Sequence, residues 1–277
     1  MRSDGIAIGG VGGSGTRLVA GALAAAGYFI GYDLNEASDN LTFSLLFVRR
    51  EILDASDDEF RRLVALFSKT THTRERFTSD EVALIERAVA ADDLLAAAWR
   101  RDRGVRMLRP DREIAAPGAP WAWKEPNTHV IVDRLRSALP NLRYVHVTRN
   151  GLDMAYSANQ QQLRRWGESL AGIDPVAPSP RDALAYWCAV HRRIFSLAER
   201  MGDDFLAISY DRLCAEPATE LDRLFAFAGC IPEPAQRAAA IASVHPPASI
   251  GRFRAHGLDA FDRSHIEYVE HAGFAVH

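Results

Sequence analysis

The sequence is poor in cysteine, in lysine and in net charge, and each shortage narrows the class of protein. Three cysteines among 277 residues show no metal-ligand spacing, which indicates structural thiols in a reducing compartment and no metal site. The formal net charge of −3 lacks the basic excess expected of a general nucleic-acid binder. Of 33 basic residues only Lys69 and Lys124 are lysines, so the other 31 are arginines.

Long apolar runs are also missing. The most apolar region, Leu18 to Ile30, is interrupted by Gly21 and Gly27 and is too short to span a bilayer. The first five residues are polar and do not resemble a secretory leader. We therefore expect a cytoplasmic protein without a stable membrane anchor and without a nucleic-acid partner.

Short apolar strands alternate with amphipathic helices along the chain, which predicts an α/β fold with a mainly parallel central sheet and helices on both faces. Residues 51–118 are dominated by helical periodicity and a Pro-rich end, so we interpret them as a helical insertion within a single domain spanning residues 1–277. The predicted strands are 6–8, 28–30, 121–124, 142–147 and 205–209, and the predicted helices beyond the insertion include 16–26, 41–50, 130–139, 152–165, 181–201, 217–228 and 233–243.

A glycine-rich turn follows the first strand and precedes a helix. Five of the seven residues from Gly9 to Gly15 are glycines, and such a turn lets backbone N–H groups and a helix N-terminus hold a phosphate. The nucleotide-triphosphatase pattern G-x-x-x-x-G-K-[ST] is broken, because Thr16 stands at its lysine position and Arg17 at its hydroxyl position. The evidence for a dinucleotide-binding motif is weak too, because only Asp33 or Glu36 could serve as the acidic residue that this motif requires.

A second phosphate site is predicted at the end of the strand 142–147. Arg149 follows that strand, and Ser157 comes eight residues later, about two turns into the predicted helix 152–165. An arginine at the carboxyl edge of a sheet and a hydroxyl on the adjoining helix can hydrogen-bond one phosphate from two sides.

These two motifs, in this order, resemble those of the sulfotransferases that use 3'-phosphoadenosine 5'-phosphosulfate (PAPS). Gly13 to Arg17 is similar to the 5'-phosphosulfate loop of that family, and Arg149-x7-Ser157 is similar to its 3'-phosphate motif. The resemblance implies a P-loop NTPase-like fold, PAPS as the cofactor, adenosine 3',5'-bisphosphate as its product, and no metal. It assigns cofactor binding in the glycine loop to Gly12, Gly13, Ser14, Gly15, Thr16 and Arg17. Many members carry a cation where Gly13 stands, and Arg17 can supply that charge.

Two weaker matches lie further along the chain. Ser209–Leu213 resembles the family segment whose tyrosine lies near the adenine, which points to Tyr210. Ser249–Phe253 resembles the loop that closes over the 3'-phosphate, which points to Gly251 and Arg252.

The resemblance also suggests catalytic residues. Lys124 stands where sulfotransferases keep a lysine before the acceptor-binding loop, and a compact ammonium there suits a sequence that otherwise uses arginine. With Arg17 it would stabilise the transferring group. For the general base we favour Glu36, with Glu125 and His129 as alternatives. Pro126 occupies the place of the histidine found in the aryl and steroid enzymes, and His129 is expected to face solvent.

The acceptor is predicted to be a hydroxyl of a small molecule, a glycan or a lipid-linked precursor. Residues 160–162 and 164–166 either line an acceptor groove or form a solvated helix end. Two rival functions are a P-loop kinase with an atypical phosphate loop and a non-catalytic nucleotide-binding member of the fold. The sequence leaves homo-oligomerisation open.

Overall fold

The computed structural model describes residues 5–91, 95–174 and 176–277. A four-stranded sheet lies at its centre, with the strands in the order β2-β1-β3-β4 and every pair parallel. Parallel strands are joined by crossovers that place helices on both faces of the sheet. The strands are β1 (Ile6–Gly10), β2 (Ala122–Lys124), β3 (Arg143–Thr148) and β4 (Phe205–Ser209).

The helices occupy most of the remaining described chain. They are α1 (Thr16–Ala25), α2 (Leu41–Phe47), α3 (Asp57–His72), α4 (Ser79–Ala90), α5 (Ala97–Met107), α6 (Val132–Ala138), α7 (Gly151–Ala155), α8 (Gln161–Ala171), α9 (Pro180–Met201), α10 (Tyr210–Ala215), α11 (Pro217–Ala228), α12 (Pro234–Ala242) and α13 (Arg263–His271). Short 3-10 helices cover Arg50–Leu53, Pro126–Val130, Gly202–Asp204 and Arg252–Ala255. The predicted α/β class with helices on both faces is confirmed.

Alternation of side chains along the strands creates two hydrophobic cores. In β1, Ile6 and Ile8 point to one face and Ala7 points to the other. Helices α1, α11 and α12 cover the first face, and the second face is covered by α2, α3, α6, α7 and α9. Both faces are closed to water, and the carboxyl ends of the strands are left as the open edge where ligands of such sheets bind.

An aromatic cluster joins the helices after β1 to the sheet. The Phe43 ring stacks on Trp123 with 5.8 Å between ring centroids, and Phe67 meets Trp123 edge-on at 5.4 Å. Helices α3, α4 and α5 thus share the core of the second face. The division of residues 51–118 from the rest as an insertion stays a prediction.

Two local predictions were wrong. Residues 28–30 do not form a strand of the sheet, since only Phe29 makes an isolated parallel bridge, to Trp121. The predicted helix 152–165 is two helices, because the chain leaves helical geometry after Ala155 and starts again at Gln161. Residues 156–160 bridge them, and α8 then runs on to Ala171.

Within the three described ranges, no helix combines the length and the apolar character needed to cross a membrane.

Candidate active site

The glycine-rich loop between β1 and α1 presents unpaired backbone donors at the carboxyl edge of the sheet. Gly13 and Gly15 have φ angles of 92° and 95°, a region that only glycine enters at no steric cost. Their N–H groups have no hydrogen-bond partner among the described residues, and the first N–H groups of a helix are left free by its geometry. The Ser14 hydroxyl is buried without a partner as well. The loop therefore offers two backbone N–H groups and one hydroxyl that are available to an anion.

Tyr210 closes one side of this loop. A Cβ atom added to Gly15 would lie 2.0 Å from the Cδ2 atom of the Tyr210 ring, so no other residue fits at position 15 while the ring stays in place. Tyr210 is the first residue of α10, directly after β4. The sequence placed it near the adenine, and the structure places it against the start of α1.

Arg149 brings the second predicted motif to the glycine loop. Its guanidinium donates to the Gly13 carbonyl at 3.3 Å and to the Ser249 hydroxyl at 2.7 Å, and it lies over the Tyr210 ring at 5.2 Å. Arg149 is only 7% exposed, yet no carboxylate of the described chain lies within ion-pair distance. The Asp211 carboxylate interacts electrostatically with Arg149, but the hydrogen bonds of the guanidinium go to neutral oxygens and its Nε atom is buried without a partner. A bound anion would give this charge a direct partner.

The segment 249–253 is tied to the same corner by Asp153. The Asp153 carboxylate accepts the N–H of Gly251 at 2.7 Å and the N–H of Phe253 at 3.2 Å. Arg252 donates to the Tyr156 carbonyl at 3.3 Å. The predicted residues Gly251 and Arg252 thus lie beside helix α7, which begins two residues after Arg149. Asp153 itself was not predicted as a site residue, although its place four residues after Arg149 is the signal that could have suggested it.

Ser157 does not lie two turns into a helix as predicted. It lies in the break between α7 and α8, half-buried, and its hydroxyl accepts the Asn159 N–H at 3.2 Å. Its part in holding a 3'-phosphate together with Arg149 stays a prediction.

Lys124 is buried at the end of β2 and is held by the loop that follows residue 32. Its ammonium donates to the Ala37 carbonyl at 2.9 Å and forms an ion pair with Asp39. The backbone of Asn40 donates to the Lys124 carbonyl at 2.7 Å, which fixes the loop across the strand end. Asp39 was missed by the sequence analysis, which singled out Glu36 three residues before it.

The candidate bases have very different surroundings. Glu36 is exposed on the loop, and no hydrogen bond or ion pair of the described residues involves it. Glu125 is buried, and its carboxylate accepts the backbone N–H of Asn127 at 2.6 Å and the side-chain amide of Asn127 at 2.8 Å. Burial, reinforced by the charge of Asp39, raises the pKa of Glu125 to about 7.

His129 is fully buried rather than facing solvent. Its Nε2 atom lies 3.3 Å from the Oε1 atom of Gln162, and burial lowers the pKa of His129 to about 3, so the ring is neutral. The rings of His146 and His191 lie in the same buried region, with 6.4 Å between the centroids of His129 and His146 and 5.1 Å between those of His146 and His191. All three rings are buried, and a role of His129 as the base stays an alternative.

Two further predicted residues are placed by the loop itself. Arg17 is exposed one residue into α1, and no ion pair or hydrogen bond within the described chain engages its guanidinium. Gly12 donates its N–H to the Gln162 side chain at 3.1 Å. Gln162, predicted at an acceptor groove or a solvated helix end, therefore faces the glycine loop.

Comparison with known proteins places the chain in a family. Residues 5–234 match the model of the sulfotransferase family, and the chain belongs to that family. The sulfotransferase domain of the Synechococcus PCC 7002 olefin synthase has a similar structure, with 17% sequence identity, a TM-score of 0.54, and coverage of 100% of this chain and 97% of that chain. A sulfotransferase of Mycobacterium tuberculosis H37Rv matches with 14% identity and a TM-score of 0.46, over 99% of this chain and 78% of that chain. No curated protein matches. The fold is the P-loop-like fold of sulfotransferases.

Proposed function

We propose that the protein transfers the sulfuryl group of PAPS to an acceptor hydroxyl, with the glycine loop and Arg149 holding the donor. The observation that carries the proposal is the contact of Arg149 with Gly13, which joins two anion-binding motifs 136 residues apart at one corner of the sheet. One motif suits a 5'-phosphosulfate and the other a separate 3'-phosphate. Family membership favours this function over the kinase alternative.

The residues present fit such a donor. Among the described residues, the buried Ser14 hydroxyl and the Nε atom of buried Arg149 lack partners, and the N–H groups of Gly13 and Gly15 are free. PAPS would supply an activated sulfuryl group, transferred in line as its bond to the 5'-phosphate breaks. Arg149, Ser249 and the segment of Gly251 and Arg252 would hold the 3'-phosphate. Thr16 and Arg17 would complete the 5' side at the helix N-terminus.

We assign stabilisation of the transferring group to Lys124. Its ammonium is buried, where a charge acts more strongly than in water. Asp39 and the Ala37 carbonyl orient it, since they restrict a side chain that is otherwise flexible.

We assign the general base to Glu125 rather than to Glu36. A base works best when its pKa lies near the operating pH, and the pKa of Glu125 is raised to about 7. Glu125 adjoins Lys124 in the chain, so one strand end would supply both groups. The acceptor would be a small-molecule, glycan or lipid-linked hydroxyl. A screen of these acceptor classes with PAPS, read by mass spectrometry for the gain of one sulfuryl group, would identify it.

Binding of adenosine 3',5'-bisphosphate tests the donor site. At a hundred times its dissociation constant the nucleotide should stabilise the protein by about 2.7 kcal/mol, seen as a rise in melting temperature. Arg149→Ala should weaken its affinity roughly a hundredfold, because charge-assisted hydrogen bonds are lost. Arg263→Ala, at an exposed arginine of α13, is the matched control. Absence of any stabilisation at millimolar nucleotide would refute PAPS use, and magnesium-dependent ATP turnover would restore the kinase alternative.

Replacement of Lys124 distinguishes a catalytic protein from a non-catalytic nucleotide-binding member of the fold. Lys124→Ala should abolish most turnover while retaining adenosine 3',5'-bisphosphate binding, because the ammonium acts on the transferring group. Lys69→Ala removes the only other lysine, which pairs with Glu81 on α4, and should leave turnover unchanged. Wild-type protein that binds the nucleotide but sulfates no acceptor class would support the non-catalytic alternative.

The base is tested by the pH dependence of kcat/KM. The wild-type rate should fall with one proton below about pH 7, where the Glu125 carboxylate becomes protonated. Glu125→Gln should lower the rate by roughly 10²–10⁴-fold and remove this acid limb, while it keeps an oxygen to accept the Asn127 N–H. If Glu36→Gln produces the larger loss, the base is Glu36.

A further inference from the structure

The side chain of Gln162 reaches from α8 into the glycine loop and bonds both of its arms. Its Nε2 atom donates to the Gly10 carbonyl at 3.2 Å, and its Oε1 atom accepts the Gly12 N–H at 3.1 Å. Gly10 is the last residue of β1, whereas Gly12 belongs to the turn. We propose that Gln162 is a positioning residue that holds the phosphate-binding shape of this loop, an inference that rests on the proposed function of the loop.

The amide of Gln162 is itself held in one orientation. His129 lies beneath it, with Nε2 at 3.3 Å from Oε1. An Nε2–H on the neutral ring donates to that oxygen, so Oε1 accepts two hydrogen bonds and the amide nitrogen is directed to Gly10. The backbone nitrogen of His129 also lies close to the end of β1, 3.2 Å from where a Cβ on Gly9 would stand. The histidine therefore supports the loop from the core side.

Helix α8 is anchored where it carries Gln162. Trp166 lies one turn further along the same side of the helix and is fully buried, and its Nε1 atom donates to Asn127 Oδ1 at 2.8 Å. Leu163 is buried beside it. With the helix fixed at these points, Gln162 has little freedom to leave the loop, and it is itself 8% exposed.

This arrangement divides the loop into a framework part and a ligand-binding part. The Gly12 N–H is committed to Gln162, and the Ser14 N–H is committed to the Val11 carbonyl at 3.0 Å. The N–H groups of Gly13 and Gly15 remain free for the donor. Gly12 is thus reassigned from cofactor binding to the framework, and Gln162 determines whether the free donors are preorganised or must be ordered on binding.

Replacement of Gln162 by methionine keeps its length and removes its hydrogen bonds. Gln162→Met should weaken adenosine 3',5'-bisphosphate binding by roughly ten- to hundredfold, since two to three net hydrogen bonds are lost. KM for PAPS should rise in parallel, and KM for the acceptor should not change. Gln161→Met is the matched control, because Gln161 is the exposed neighbour on the same helix. A merely structural role would lower the active fraction, and hence kcat, with both KM values unmoved.

Hydrogen exchange of the loop peptide in the ligand-free protein gives a readout independent of activity. The Gly12 amide should exchange slowly in wild type and in Gln161→Met, and at least tenfold faster in Gln162→Met. Equal exchange and equal nucleotide affinity in the two variants would overturn the proposal. If the methionine variant does not fold, Gln162→Leu decides, because it removes both hydrogen bonds to the loop and introduces no charge. Wild-type-like Gly12 exchange and nucleotide affinity in that variant would also overturn it. Failure of wild-type protein to bind the nucleotide would instead refute the proposed function. The exchange result would still test whether Gln162 holds the shape of the loop.

Discussion

Single residues of the glycine loop are restricted by what lies against them. Gly15 combines a φ angle of 95° with the Tyr210 ring at the place of a Cβ. Gly21, five residues into α1, has nothing within 4 Å of a Cβ and is exposed. Gly15 therefore cannot carry a side chain unless Tyr210 moves, whereas Gly21 has room for one.

Alanine substitution at these two positions should have opposite effects. Gly15→Ala forces the Tyr210 ring away from Arg149 and strains the backbone by about 1–3 kcal/mol, so nucleotide binding should be lost and the melting temperature should fall. Gly21→Ala should stabilise the protein by about 0.5–1 kcal/mol, because alanine loses less backbone entropy in a helix. Calorimetric melting and titration with adenosine 3',5'-bisphosphate measure both. Unchanged binding in Gly15→Ala would mean that the close approach of Tyr210 is not needed.

At the scale of elements, the carboxyl corner of the sheet is assembled by a few polar tethers. Helix α7 holds the segment 249–253 through Asp153, and the loop after residue 32 is held to β2 through Asp39 and Lys124. Neither segment belongs to a strand of the sheet, and the loop after residue 32 has one isolated bridge, between Leu34 and Asn40. The free energy of opening these segments should therefore depend on single carboxylates.

Asp153→Asn tests the first tether. An asparagine keeps one acceptor oxygen where the carboxylate offered two, so one of the N–H groups of Gly251 and Phe253 loses its partner. We expect faster hydrogen exchange in residues 249–255 and roughly tenfold weaker binding of adenosine 3',5'-bisphosphate, with little change in exchange of the sheet. Asp259→Asn, at an exposed aspartate of the same C-terminal region, is the control. Equal exchange in the two variants would show that Asp153 does not hold the segment.

At the scale of the whole molecule, the histidine cluster couples folding to pH. Burial lowers the pKa of His129 to about 3 and of His191 to about 4, and it holds the pKa of His146 well below its ordinary value. In the unfolded chain these rings titrate near about pH 6.5. Between that pH and the folded pKa values the unfolded chain binds protons that the folded protein does not. The free energy of unfolding must therefore fall as the pH is lowered from about 6.5.

Urea unfolding between pH 7 and pH 5 measures this effect. Each histidine contributes a slope of up to about 1.4 kcal/mol per pH unit. Glu125 acts in the opposite sense between about pH 4.5 and 7, because its raised pKa favours the folded state while it is protonated, so Glu125→Gln serves as the background. In that background, His191→Phe should lower the slope by up to about 1.4 kcal/mol per pH unit, the contribution of one histidine. Phenylalanine keeps the stacking on Trp187 but does not titrate. His271→Phe, at an exposed position, should not change the slope. An equal slope in both variants would contradict the coupling.

Local patterns along the chain predicted most of the architecture. The strands β1, β3 and β4 and the long helix α9 follow from runs of apolar residues and from their period, because those signals arise within a few residues. The helix break after Ala155 was missed, since residues 156–160 carry neither glycine nor proline. Helices α10 and α13 are short, and their ends give weak signals. Residues 28–30 have strand-like composition but too few partners in the sheet.

The sequence by itself determined the α/β class, the glycine loop and the arginine after β3, because each depends on residues that are neighbours in the chain. Only the tertiary structure decided which side chains meet. Arg149 reaches Gly13, Asp39 pairs with Lys124, and Gln162 bonds Gly10 and Gly12. These contacts join residues 85 to 152 positions apart, and such pairs are set by crossover connections and helix packing rather than by local preference. Burial, which gives Glu125 and His129 their shifted pKa values, is likewise a property of the packed molecule.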